Sequence, residues 1–139
     1  MIIIDRITDG EAQTLALAEE FARTLKGGEF IAMKGDLGAG KTVFVRGLAS
    51  VLAPEGAVSS PSYAIVHEYG GPYNLCHFDM YRINGEDDLY SIGFFDYDGC
   101  IMAVEWSEKI EELLPSPRFE VQILKVDEVK RRIVIEEIK

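Results

Sequence analysis

The residues best suited to chemistry form one glycine-rich stretch that fits the pattern G-x-x-x-x-G-K-[ST] in full. In such a loop, glycines let backbone N–H groups face an anion, and the N-terminus of the following helix adds positive potential. The lysine reaches the β- and γ-phosphates of a nucleotide, and the Ser/Thr hydroxyl binds Mg²⁺. We predict nucleotide binding by Asp36, Leu37, Gly38, Ala39, Gly40, Lys41, Thr42 and Val43, which follow Gly35. Within this set Lys41 is the predicted catalytic residue and Thr42 the predicted metal ligand.

Two carboxylates follow apolar runs and could complete such a site. Asp79 comes directly after residues 73–78, and Glu105 comes directly after residues 100–104. In open α/β sheets, ligands bind at the carboxyl ends of the strands. We therefore predict that both are catalytic and that both are metal ligands. Which of the two contacts Mg²⁺ directly, and which acts through water, stays open.

The absence of one sequence motif bears on which nucleotide the chain would bind, GTP or ATP. No Asn-Lys-x-Asp string occurs, because Asn74 is followed by leucine and Asn84 by glycine. Residues 96–99 match D-x-x-G, but they precede an apolar run instead of ending one, so we interpret them as a turn. ATP is therefore favoured over GTP. Arginines are scattered after the glycine-rich loop, which disfavours a phosphotransferase with an arginine-bearing lid but leaves a small-molecule kinase as an alternative.

The local pattern supplies the elements that would position these residues. Residues 29–34 read as a strand and 41–52 as a helix, with the glycine-rich loop between them. Thr8 and Glu11 have capping-box spacing at the head of an earlier helix. Strands that alternate with helices predict an α/β sandwich, mainly parallel, with antiparallel additions. Further predictions are strands at 1–5, 119–126 and 131–138, a loop at 54–61, and short helices at 84–93 and 107–114.

Length and charge limit the classes of partner. The chain has 139 residues, which predicts a single domain over residues 1–139. Its 14 Lys and Arg face 24 Asp and Glu, a net charge of −10. An acidic domain repels phosphate backbones, so we expect no DNA binding and no broad contact with RNA or an anionic membrane. A bound anion must therefore be held by a local group of donors.

The remaining composition predicts a cytoplasmic protein. Cys76 and Cys100 lie in separate apolar runs without a C-x-x-C pair, which is typical of buried thiols in a reducing compartment. The apolar N-terminal run of four residues is too short for a signal peptide. No apolar run approaches the roughly 18 residues that a membrane span requires.

Four motifs in order make the chain similar to a known family. They are the glycine-rich loop, Ser-Pro-Ser-Tyr at 60–63, His-Phe-Asp-Met-Tyr-Arg at 77–82 and Glu-Trp at 105–106. Together they resemble the TsaE (YjeE) family over about residues 8–115. Two departures are small, since Ser62 stands where threonine is usual and Met80 where leucine is usual.

The resemblance implies a fold, an activity and partners. It implies a P-loop NTPase-like three-layer sandwich whose central, mainly parallel sheet has antiparallel flanks. It also implies slow, Mg²⁺-dependent ATP hydrolysis in concert with TsaD and TsaB, which modify the adenosine next to the tRNA anticodon with a threonylcarbamoyl group. By position, Asp79 resembles the Walker-B-type carboxylate, Glu105 the second acidic residue, and Glu11 part of the base side of the nucleotide pocket. The tRNA would be reached only through these partners.

Alternatives and minor features stay open. A nucleotide-dependent switch or assembly module, in which binding matters more than turnover, is the alternative to an ATPase. We interpret His67 and His77 as structural, because they lie in strand-like runs without a nucleophile. Residues 130–132, Lys-Arg-Arg, are the only basic cluster. We interpret this cluster as a solvated hairpin face, with an approach to the nucleotide or tRNA as the alternative.

Overall fold

A computed structural model describes residues 1–35, 40–53, 57–59, 66–69, 75–79, 100–105, 107 and 114–139, with backbone alone at 57–59, 66–69 and 79. Two helices and eight strands lie in these ranges. The helices are α1 (Glu11–Ala22) and α2 (Lys41–Leu52). The strands are β1 (Ile2–Asp9), β2 (Phe30–Gly35), β3 (Ala57–Ser59), β4 (Val66–Tyr69), β5 (Leu75–Asp79), β6 (Ile101–Glu105), β7 (Arg118–Lys125) and β8 (Lys130–Ile138).

The eight strands form one sheet in the order β1-β8-β7-β2-β6-β5-β4-β3. The four central strands β7, β2, β6 and β5 pair in parallel. The outer pairs, β1 with β8, β8 with β7, β5 with β4 and β4 with β3, are antiparallel. The predicted α/β fold, a parallel centre with antiparallel flanks, is confirmed.

The two helices pack on one face of this sheet. Phe21 of α1 lies against Phe44 of α2, with ring centroids 6.3 Å apart. Both rings belong to a buried cluster that includes Ile31 and Met33 of β2. The opposite face of β2 is also buried, at Phe30 and Ala32. Burial on both faces is what a layered sandwich requires of its central strands.

The strand directions bring several chain ends to one edge of the sheet. Because β2, β5, β6 and β7 run parallel, their carboxyl ends at Gly35, Asp79, Glu105 and Lys125 share that edge. The carboxyl end of β1 joins them, since Asp9 pairs with Lys130 at the start of β8. We refer to this side as the carboxyl edge.

Three local predictions differ from the structure. The first strand runs to Asp9, four residues further than predicted, and Thr8 is therefore part of β1. Thr8 does not cap α1, whose N-cap is Gly10 without a side-chain hydrogen bond. The predicted loop at 54–61 contains β3.

Other local predictions agree, or lie beyond what is described. Helix α2 has the predicted bounds, and β7 and β8 are each one residue off at their starts. The helix expected at 84–93 lies outside the described residues, as does all but residues 107 and 114 of the helix expected at 107–114. Neither α1 nor α2 is long and apolar enough to cross a membrane.

Candidate nucleotide-binding site

The site is built around Lys41, the first residue of α2. Although it is charged, Lys41 is only 5% exposed. Its Nζ donates a hydrogen bond of 3.2 Å to the carbonyl oxygen of Gly35, the last residue of β2. This bond places the ammonium group of Lys41 at the end of β2. A buried ammonium group requires hydrogen-bond acceptors, and nucleotide phosphates would supply them.

Gly35 is required where β2 enters this loop. Its φ angle is +148°, and a Cβ atom there would lie 2.2 Å from the carbonyl oxygen of Ile123 in β7. That distance is far inside van der Waals contact, and the atom struck is backbone. The first glycine of the motif is therefore fixed by the close approach of β7 as well as by its own φ angle.

The two residues predicted to supply carboxylates end neighbouring strands at the carboxyl edge. Asp79 and Glu105 are the last residues of β5 and β6 and are partners in the parallel register. Glu105 is also paired in register with Met33 of β2, two residues before Gly35. The Glu105 side chain is 9% exposed. The register therefore brings together the strand ends that carry Gly35, Asp79 and Glu105, as the sequence predicted.

His77 is a site residue that sequence reasoning missed. Its Nε2 is hydrogen-bonded to Oε2 of Glu105, and the side chain of His77 is 11% exposed. The two residues share a face of the sheet because His77 pairs with Ala103, two residues before Glu105. The available signal was the spacing of His77 and Asp79, which places both on one face of a strand.

A cavity of about 260 Å³ lies beside the start of α2. It joins the N-terminal ends of α1 and α2 to the turn between β7 and β8. Its lining residues are Gly10, Glu11, Thr14, Gly40, Val43, Glu128, Val129 and Arg131. The structure thus places Glu11, Gly40 and Val43, three predicted nucleotide-binding residues, around one space.

The turn that lines this cavity is held by side-chain hydrogen bonds. Oδ1 of Asp127 accepts bonds from the backbone N–H groups of Val129 and Lys130, at 2.8 and 2.6 Å. These two donors hold the pKa of the Asp127 carboxyl below its usual value. The Arg131 guanidinium donates to the carbonyl oxygens of Asp127 and Lys130. Arg131 therefore lines the cavity. From the sequence alone, we interpret its cluster as a solvated hairpin face, with an approach to the nucleotide or tRNA as the alternative.

The rest of the basic cluster faces elsewhere. Arg132 makes a two-point ion pair with Asp5 of β1, at 3.0 and 2.8 Å. The hydrogen bond between these two side chains lowers the pKa of the Asp5 carboxyl and raises the pKa of the Arg132 guanidinium. The interpretation as a hairpin face holds for Arg132, which is half exposed.

The donor set at the carboxyl edge fits a magnesium ion. Thr42, Asp79 and Glu105 would supply hydroxyl and carboxylate oxygens, the hard ligands that Mg²⁺ prefers. Among the described residues, no group of three or more His, Cys, Asp or Glu side chains could hold a metal alone.

Several predicted residues cannot be placed. Asp36, Leu37, Gly38 and Ala39 lie outside the described residues, as do the motif at 60–63, Arg82 and Trp106. Thr42 is the second residue of α2 and is exposed. The geometry of the loop is therefore known at its two ends, Gly35 and Gly40.

A family model matches residues 8–133, and its description is "Threonylcarbamoyl adenosine biosynthesis protein TsaE". The chain belongs to the TsaE family. Curated TsaE proteins are similar to this chain over nearly its whole length. The relative from Aquifex aeolicus is 42% identical over 93% of this chain and 92% of its own length. The relative from Rickettsia bellii is 34% identical over 94% of this chain and 93% of its own length.

A solved structure gives the same result for the fold. The crystal structure of Bacillus subtilis YdiB matches with a TM-score of 0.78 at 32% identity. The match covers 100% of this chain and 88% of that chain. This likeness confirms the P-loop NTPase-like fold that the family resemblance implied.

Proposed function

We propose that this chain is an Mg²⁺-dependent ATPase that serves the threonylcarbamoyl modification of tRNA, next to the anticodon. Membership of the TsaE family supports the role in this modification. The observation that carries the ATPase proposal is Lys41, a buried lysine of a G-K-T motif held at the end of β2. In P-loop proteins this arrangement holds nucleotide phosphates.

Each residue at the carboxyl edge has a proposed task. The Lys41 ammonium group and the backbone N–H groups at the start of α2 bind the phosphates, and the Thr42 hydroxyl binds Mg²⁺. When bound, the metal neutralises charge that develops on the phosphate oxygens. One of Asp79 and Glu105 holds this ion directly, and the other holds it through water or orients the attacking water.

The cavity beside Glu11 and Val43 is proposed to take the nucleoside end of ATP. Its volume of about 260 Å³ is just below the range of about 300–1,000 Å³ that is typical of a pocket for a whole small molecule. The cavity therefore suits one part of the nucleotide. The phosphates would extend from it along the N-terminus of α2.

The partners are proposed from the same family role. The net charge of −10 disfavours extended contact between this chain and tRNA. We propose that TsaD and TsaB proteins carry the RNA contacts and the group transfer, and that ATP hydrolysis here resets their complex. Association that depends on ATP, measured by pull-down with and without nucleotide, tests this part.

Substitution of Lys41 tests the ATPase proposal. We expect Lys41→Ala to lower the rate of ATP hydrolysis by about 100-fold or more, the usual cost of removing one group that stabilises transition-state charge. Lys26→Ala is the matched control, because Lys26 is exposed and precedes the opposite end of β2. Phosphate release is measured at saturating Mg²⁺, and circular dichroism verifies that both variants fold.

Two results would contradict the proposal. Wild-type turnover by Lys41→Ala would show that the lysine does not serve hydrolysis. Equal losses in Lys41→Ala and Lys26→Ala would trace the effect to lost positive charge in general instead of to this site.

A further inference from the structure

His77 is buried in a strand whose other described side chains are apolar. Its neighbours Leu75, Cys76 and Phe78 are all buried. An imidazole in such surroundings is costly unless its nitrogens are hydrogen-bonded. Nε2 meets this need at Oε2 of Glu105, so the histidine is tied to the carboxylate at the carboxyl edge.

The hydrogen bond from His77 involves only one of the two carboxylate oxygens of Glu105. A carboxylate offers about four lone-pair sites over both oxygens. Contact at Oε2 fixes the direction of the Glu105 side chain and leaves acceptor capacity for a second ligand. The backbone of Glu105 is fixed as well, since it pairs in register with both Met33 and Asp79.

A second bond anchors the chain just after Glu105. The buried hydroxyl of Ser107 donates a hydrogen bond of 3.2 Å to the carbonyl oxygen of Met33. Ser107 is thereby held against β2. The backbone of Glu105 is thus held by its neighbouring strands, and the bond to His77 restrains the rotamer of its side chain.

We propose that His77 is a positioning residue for Glu105. With a proton on Nε2, the imidazole donates to Oε2 and holds the carboxylate at the angle from which it serves Mg²⁺ or the attacking water. Partners that orient a metal-site carboxylate typically account for 10- to 100-fold in metal affinity or activity. This inference rests on the proposed Mg²⁺-ATPase function.

Three variants separate positioning from mere packing. His77→Leu removes the donor while filling much of the ring's volume, and His77→Gln retains an N–H donor near the position of Nε2. Phe78→Leu is the matched control: it disturbs the same strand, but the ring packs on the opposite face from His77.

The readouts are nucleotide affinity in EDTA, the Mg²⁺ concentration for half-maximal hydrolysis, kcat, and the urea midpoint. We expect His77→Leu to raise the Mg²⁺ requirement or lower kcat by about 10- to 100-fold. Affinity for ADP in EDTA should stay within about twofold, and His77→Gln should recover most of the loss. Phe78→Leu should lower the urea midpoint without changing the Mg²⁺ requirement. Wild-type kinetics in His77→Leu, or equal loss in His77→Gln and Phe78→Leu, would overturn the proposal.

A spectroscopic measurement tests the contact even if the wild-type protein hydrolyses no ATP, an outcome that would refute the proposed function alone. Long-range ¹H–¹⁵N NMR reports which ring nitrogen carries the proton, and the chain has only 2 histidines. His67→Gln assigns the signals. We expect one tautomer, with the proton on Nε2, and a shift of that signal in Glu105→Gln. Mixed tautomers, or a signal indifferent to Glu105→Gln, would overturn the inference.

Discussion

Gly47 lies in the middle of α2, where this helix meets α1. A Cβ atom at this position would lie 2.5 Å from Cβ of Ala18 and 2.8 Å from the carbonyl oxygen of Leu15. Both neighbours belong to α1 and both are rigid, one a methyl group and the other backbone. We therefore take Gly47→Ala as the perturbation, because two effects of opposite sign compete at this residue.

The size of each effect decides the outcome. In a helix interior, alanine is more favourable than glycine by about 1 kcal/mol. Against this, the new methyl group would lie about 0.9 Å closer to Cβ of Ala18 than an ordinary contact allows. Overpacking of a rigid core costs about 1–3 kcal/mol. We expect a cost near the upper end of this range, because one of the two atoms that the new methyl group would strike belongs to the backbone of α1. We expect a net loss of about 2 kcal/mol in the free energy of unfolding, a loss that a typical stability of about 5–15 kcal/mol survives.

Urea denaturation followed by circular dichroism measures this loss. With a denaturant slope of about 2 kcal/mol per M, the midpoint should fall by about 1 M. Ala18→Gly in the Gly47→Ala background removes the methyl group at 2.5 Å but leaves the contact with Leu15. The double variant should therefore be more stable than the sum of the single effects. A higher midpoint for Gly47→Ala would refute the reasoning, and strict additivity would show that the Ala18 contact is not the source of the loss.

Two further predictions concern the carboxyl edge. Gly35→Ala should weaken nucleotide binding measured by calorimetry and lower the urea midpoint, because its Cβ would lie 2.2 Å from backbone of β7; unchanged affinity would contradict this. Asp127→Asn should cost stability at neutral pH, because the backbone donors of Lys130 and Val129 lower the pKa of this carboxyl in the folded state. This contribution is present above the ordinary carboxyl pKa of about 3.9 and is lost as the pH falls through the lower folded value. The urea midpoints of the wild type and of Asp127→Asn should therefore converge below about pH 4. A difference between the two midpoints that stays constant from pH 7 to 3 would contradict this role of the Asp127 carboxylate.

The strand before the glycine-rich loop and the helix after it could be predicted because their signals are local. Helix α2 has apolar residues at helical spacing, a glycine before its start and no proline within it, and its observed bounds match the prediction. The carboxylates at 79 and 105 were found for a related reason. Each ends a short apolar run, and buried parallel strands are continuous in their hydrophobicity.

The start of α1 could not be predicted because a long-range contact overrides a local one. Thr8 and Glu11 have the spacing of a capping box, but β1 continues to Asp9 by pairing with β8. The hydroxyl of Thr8 is then used in a buried hydrogen bond of 2.7 Å with Thr14. The partner strand lies more than a hundred residues away in sequence, beyond the reach of any local pattern.

His77 and the turn at Asp127 were missed for the same reason. His77 and Glu105 are 28 residues apart and meet only because β5 and β6 pair in one register. Arg131 lines a cavity with Glu11 because β1 and β8 pair at their ends, Asp9 with Lys130. Sequence reasoning located the side chains that carry recognisable motifs, and the sheet register determined what lies beside them.

The charge of the carboxyl edge bears on how a nucleotide could bind there. Lys41 is a single buried cation, while Glu11 and Glu128 line the adjoining cavity and Glu105 ends the neighbouring strand. A bare polyphosphate would meet more negative groups than positive ones among these residues. A divalent cation held by Glu105 would offset this negative charge and so favour binding of the phosphates. The acidic composition that argues against broad nucleic-acid binding thus also supports a site in which the nucleotide enters together with its metal ion.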